Sequence, residues 1–139
     1  MSRVIRPQSA ARIRSKLLQS LAHAIAADQE NELAKSERRD VLTYVLQILE
    51  EIASSVSATT GAWEKRGYWV KADRFMMEWS WVSAVSEPLI PALEQSELPS
   101  PTALYRDFNH HLSAIEIPVR MQQTRPWTGA WSQRKAQGT

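Results

Sequence analysis

Apolar residues along this chain fall into runs with helical spacing, separated by short polar breaks. Ala10, Ile13, Leu17, Leu21, Ala24 and Ile25 recur three and four residues apart, which marks a helix burying one stripe. Arg12, Lys16, Gln19 and His23 take the opposite face, and Ser9 is the expected cap. Residues 1–8 read as a flexible basic lead, and 28–35 as a polar connection into which the first helix can run on. Next, Ser36 offers a cap, and Glu37 places an acid in a first turn, where the helix dipole favours it. Val41, Val45, Ile48, Leu49, Ile52 and Val56 then form an unbroken stripe, with Thr43, Gln47, Glu50 and Ser54 on the other face. The spacing predicts a helix over 37–60 that bends or stops near Gly61.

The third run differs in kind. After Gly67, one stripe comprises Tyr68, Ala72, Phe75, Met76, Trp79, Val82 and Ser86. A second comprises Val70, Met77, Trp81 and Val85, with Arg74 and Glu78 beside it. A helix apolar on more than one side is either the central helix or one that offers a face to a partner. Pro88 and Pro91 are expected to end it, with Ser86 capping a short helix through Gln95. Leu98-Pro99-Ser100-Pro101 reads as a rigid loop whose serine and second proline start a last helix. That helix carries Leu104, Phe108, His111, Leu112 and Ile115 on one face and closes at Pro118. Residues 118–139 show no apolar periodicity and read as a flexible basic tail containing tryptophan. With no repeat and no strand pattern, the expected fold is all-α, a four-helix bundle or antiparallel helical array over residues 9–117.

Composition narrows the chemistry. At 139 residues one domain is expected. The absence of cysteine excludes disulfides, cysteine-ligated metals and thiol catalysis. Four glycines, in neither GxGxxG nor GxxxxGKS/T spacing, give no phosphate-cradling loop. The longest strongly apolar stretch, Val41 to Leu49, falls short of the ~20 residues of a membrane helix, so no span is expected. A bundle with a carboxylate-bridged metal pair needs Glu-x-x-His on two helices, and no histidine here follows a glutamate by three. His110 and His111 read as structural rather than catalytic, and the serines lack a nucleophile-elbow pattern. No cofactor or metal is expected.

The formal net charge of +2 is a cancellation. Five basic residues and no acid precede Asp28. Eight basic and fifteen acidic residues lie from Asp28 through Glu116. Arg120, Arg125, Arg134 and Lys135 follow with no acid. Basic ends around an acidic body either wrap that body or meet an anionic partner.

Two regions therefore stand out as candidate binding surfaces. The first is the second stripe of the third helix, Val70, Arg74, Met77 and Trp81, which suits a symmetric helix pair or a protein groove. The second is the tail, where Arg125, Trp127, Trp131, Arg134 and Lys135 interleave. That pattern is compatible with nucleic acid, with folding back onto the acidic body, or, as preferred here, with tryptophans docking on a protein. Of the six tryptophans, Trp63, Trp69 and Trp79 are expected to stabilise the bundle, and Trp81, Trp127 and Trp131 to meet something else. The expected function is a non-enzymatic interaction protein with a protein partner or a second copy. Nucleic-acid binding through the basic termini and small-molecule binding in the bundle are the alternatives.

The acid-free start also has a transit-peptide composition, although its well-formed apolar stripe argues for a bundle helix. GAWEKRGYWVKADRFMMEWSWV (residues 61–82), preceded by IRPQSAARIRSKLL, resembles a group of short helical cyanobacterial proteins of no assigned function. The resemblance implies a cytoplasmic protein of a photosynthetic prokaryote, and it carries no functional residue with it.

Overall fold

The computed structural model describes residues 7–106 and 108–138. Eight helices and no strand occur among them: α1 (Pro7–Glu30), α2 (Lys35–Lys65), α3 (Trp69–Glu78), α4 (Trp81–Glu94), α5 (Pro101–Tyr105), α6 (Phe108–Leu112), α7 (Val119–Gln122) and α8 (Ala130–Gln137). The fold is all-α, as the periodicity predicts. Arg3, Arg6 and Asp107 lie outside the described residues, and helix already holds residues 7 and 8, which the sequence had assigned to a flexible lead.

The central helix is α2, not the doubly apolar third run. Its predicted stripe is buried throughout, and Leu42, Leu46, Thr43, Thr59 and Thr60 are buried as well. It is therefore covered from several sides, by α1, α3, α4 and α8. Each Leu or Ile fully withdrawn from water there contributes about 1.5–3 kcal/mol, so α2 is the main source of cohesion. By length and composition alone α2 could cross a membrane, with an 18-residue window of mean hydropathy 1.2, but half of that window is buried inside the protein. Helix start positions differ slightly from expectation. Ala34, not Ser36, precedes α2, and no side chain caps it.

Cross-links between α1 and α2 fix their direction. Arg14 reaches Ser55 and Thr59, while Asp28 reaches Arg38, so the two helices run antiparallel with Leu21, Ala24 and Ile25 packed into the core. The assignment of faces on α1 needs correcting. Ile13 is exposed, and Arg14 is buried in its place. His23, expected on the solvent face, is buried too.

The third run is two helices. Near Trp79 and Ser80 the backbone tightens to i→i−3 bonds, Ser80 N to Met77 O and Val82 N to Trp79 O. The Ser80 hydroxyl also donates to the Met77 carbonyl at 2.8 Å, a local bond that competes with the helix ladder. Beyond the break α4 buries Val82, Leu89 and Leu93 and runs through both prolines. Ala84 and Glu87, whose carbonyls lose their donors to Pro88 and Pro91, are exposed. Water can satisfy those carbonyls, which lowers the cost of an internal proline. Ser100 caps α5 as expected, its side chain accepting from Ala103 N, with Pro101 in the first turn.

The largest departure is the C-terminal segment. Residues 118–138 are folded against α1 and α2, with α7 and α8 inside them, and Trp127 belongs to the core. Acids near the start of α2 hold this segment. Glu37 accepts from Arg125 Nη1 (3.1 Å) and Trp127 Nε1 (3.3 Å). Asp40 accepts from the backbone N–H groups of Gly129 (3.1 Å) and Trp131 (2.9 Å). Arg134 then grips Glu50 through two nitrogens, at 2.7 and 3.1 Å. The basic tail meets the acidic body of its own chain. It lacks periodicity because single anchors and charge pairs place it, not one apolar face.

Candidate interaction surface

The short turn after α2 sets the orientation of α3. Gly67 takes φ of +81°, a conformation that strains residues with a Cβ, and its N–H donates to Glu64 O. Ala72 and the half-buried Phe75 and Trp79 then face inward. Phe75 meets Trp63 edge-on at 5.0 Å and Trp79 at 6.2 Å. The Arg14 guanidinium lies over the Phe75 ring at 4.9 Å. At about 100° per residue, the opposite side of α3 must carry Val70, Asp73, Arg74 and Met77, with Trp69 and Met76 along one flank and Lys71 and Glu78 along the other.

That outward side is exposed. Met77 is 71% accessible, Val70 67% and Trp69 62%, and Tyr68 and Met76 are more than half accessible. Five of the eight large apolar side chains most exposed among the described residues fall within 68–77. This concentration separates a surface from the single scattered residues that any protein shows. No side chain of Asp73, Arg74 or Glu78 forms a hydrogen bond or ion pair with a described residue. Lys71 places its ammonium over the Trp63 ring at 4.5 Å. Val70, Arg74, Phe75 and Trp63 line a shallow groove of about 470 Å³ beside the helix.

The residues proposed from sequence therefore divide. Val70, Arg74 and Met77 lie together on the outward face of α3. Trp81 does not continue their stripe, because the break at Ser80 turns it inward. It is half-buried, stacked on His111 at 4.3 Å and edge-on to Phe108 at 6.0 Å. Arg125 is exposed but paired with Glu37. Trp127 is 2% accessible, between His23 and Tyr44. Trp131 is half-buried beneath the Arg39 guanidinium at 4.6 Å. The expectation that the two tail tryptophans are free anchors is thus overturned by their packing. Trp69 reverses in the other direction, since it was expected to stabilise the bundle and is exposed instead.

Buried polar groups went unrecognised in the sequence. Arg14 is 7% accessible and donates to Ser55 and Thr59 hydroxyls at 3.0 and 3.1 Å, and burial lowers its pKa. A signal existed: Ala10, Arg14, Leu17, Leu21 and Ile25 are spaced as one stripe, and arginine occupies an apolar slot in it. His23 Nε2 lies 2.9 Å from the Thr124 carbonyl. Around them, His23, Glu37, Gln122, Arg125 and Trp127 line a polar cleft of about 490 Å³. Asp28 pairs with Arg38 at 2.9 Å and is almost fully buried. Asp28 Oδ2, Arg38 Nη2 and the Tyr105 hydroxyl are buried without a hydrogen bond of ordinary geometry. Burial, then the negative charge of Asp28 and a poorly aligned hydrogen bond to it, raise the Tyr105 phenol well above its ordinary range, with Arg38 opposing. Among the described residues no group of three or more His, Asp and Glu side chains is placed to hold a metal ion.

No protein-family model, curated protein or solved structure matches this chain.

Proposed function

We propose that this is a non-enzymatic helical protein that binds another protein through the outward face of α3. One observation carries the reading: Trp69, Val70, Met76 and Met77 are exposed together on one short helix, with exposed Tyr68 immediately before it. Aromatic and methionine side chains around an arginine are the composition of interface centres. A protein fits this face better than a lipid surface, because Asp73 and Glu78 lie beside the apolar residues and would be repelled by anionic headgroups. A cytoplasmic setting, which the cyanobacterial resemblance implies, belongs to the same reading.

The nucleic-acid alternative has less support than it had from sequence. Arg125 and Arg134 are engaged by Glu37 and Glu50, and Trp127 offers no free ring to stack a base.

The test is the native size of the chain in extracts of its own host, wild type against Val70→Glu/Met77→Glu. Both positions are exposed, so the variant should keep wild-type stability within about 0.5 kcal/mol per site. Wild type is expected to elute in an assembly larger than 15.8 kDa, and the variant as a monomer. Equal elution of the two would contradict the proposal.

A further inference from the structure

We infer that α8 is a salt-sensitive lid, which leaves α2 as one unit about a hinge at Gly129 while Trp127 stays docked. The two sides of Gly129 are held very differently. Trp127 is packed in the core between His23 and Tyr44. Past Gly129, whose φ of +79° suits a residue without a Cβ, the eight residues of α8 bury only Ala130. Isolated helices shorter than about 12–15 residues are marginal in water. Contacts with α2 therefore decide whether α8 is docked.

Those contacts are polar. At about 100° per residue, Asp40, Thr43, Gln47 and Glu50 form one stripe on α2, and α8 lies along it. Asp40 accepts from the Gly129 and Trp131 N–H groups at one end, and Glu50 holds Arg134 at the other. Thr43, between them, is fully buried, although its hydroxyl turns back to the Arg39 carbonyl at 2.8 Å. The Arg134 and Glu50 side chains are 32% and 45% exposed, so water and salt screen their attraction. Among the described helices, α8 packs appreciably against α2 alone. Grooves run along both of its flanks. One, of about 670 Å³, has Leu46, Ile90, Leu93 and Trp131 in its walls, and the other, of about 410 Å³, has Gln47, Glu51 and Ser54. A helix with free flanks, one small buried side chain and ionic fastenings belongs to the low-stability end of a fold, which opens without global unfolding. Opening uncovers Thr43 and joins the two grooves into one trough over Asp40 and Glu50.

The experiment reads opening in the full chain by thiol protection and hydrogen exchange. The chain has no cysteine, so Thr43→Cys and Val45→Cys each give a single thiol. Both positions are fully buried on α2, and two residues of helix set them on opposite sides. With an uncharged thiol reagent, and relative to each unfolded chain, Thr43→Cys should react more than about 100-fold faster than Val45→Cys. Raising salt from about 0.05 M to about 1 M should speed Thr43→Cys about two- to fivefold, the worth of one partly exposed ion pair. Adding Arg134→Ala should give a similar gain at low salt and remove most of the salt response. In the unsubstituted chain, the Trp131 and Gln133 amides, bonded to Asp40 and to the Gly129 carbonyl, should exchange with one common opening constant. The Trp127 indole proton should keep the protection of the α2 core. Equal protection of the two thiols would overturn the inference, as would a Thr43→Cys rate indifferent to both salt and Arg134→Ala. So would α8 amides whose exchange merely rises in a gradient toward Gly138, which is end fraying. A Trp127 indole that opens together with Thr43 would equally contradict the hinge at Gly129.

Discussion

The indole Nε1 of Trp127 donates to Glu37 Oε2 at 3.3 Å, across 90 residues of sequence. Its ring lies 5.1 Å from that of His23 and 6.3 Å from that of Tyr44. One side chain thus joins the C-terminal segment to both long helices. Trp127→Ala should cost about 3–5 kcal/mol, the usual loss for a buried large aromatic. Chemical denaturation would measure it, and a loss below about 1 kcal/mol would show that the segment is not part of the core. Arg125→Ala is the contrasting case. Its ion pair with the same Glu37 oxygen is largely exposed, so it should cost no more than about 1 kcal/mol and less at high salt.

The buried Asp28–Arg38 pair should behave asymmetrically. Asp28→Ala alone leaves a guanidinium largely out of water without its counter-charge, and should destabilise by about 3–5 kcal/mol. Replacing both residues with apolar ones of similar volume should recover most of that loss. A double-mutant cycle by denaturation separates the two outcomes, and equal losses for single and double variants would argue against this account.

Tyr105 gives a pH prediction. Its phenol has a raised pKa in the folded state, so above pH about 10 the unfolded chain loses this proton while the folded chain keeps it. The folded state then binds more protons, and stability falls as pH rises. Tyr105→Phe should flatten that alkaline fall. At neutral pH it should change stability by less than about 1 kcal/mol, because the hydroxyl has no well-formed partner to lose. Denaturation midpoints of both chains from pH 7 to 11 test it. Parallel curves would disprove the assignment.

Gly129 begins α8 with φ of +79° while its N–H binds Asp40. Gly129→Ala should cost about 1 kcal/mol through backbone strain. The expected signature is faster amide exchange over 127–137 with α1 and α2 unchanged.

The helices of strongest periodicity were legible in the sequence. The α2 stripe from Val41 to Val56 is buried as predicted, and Ser100 caps α5. Val70, Arg74 and Met77 were legible as a surface for the same reason, since apolar residues recurred on a side of the helix already opposed by a buried one. The tail was not legible, because Trp127, Gly129 and Arg134 are placed by Glu37, Asp40 and Glu50, contacts with no local spacing. Trp81 was misplaced because the hydroxyl of Ser80 and the neighbouring rings break a pattern that periodicity alone carries straight through. Arg14 was placed on neither face and His23 was placed by spacing on the solvent face, whereas hydroxyls and a carbonyl across the helix junctions make the burial of both tolerable.

The most direct test of the central claim is a photo-crosslinking residue at position 77, expressed in the native host, with the same residue at exposed Gln133 as control. Occupation of the α3 face predicts a discrete protein adduct from position 77, abolished by Val70→Glu, and none of that size from position 133. Adducts absent at position 77, or alike at both positions, would contradict the account.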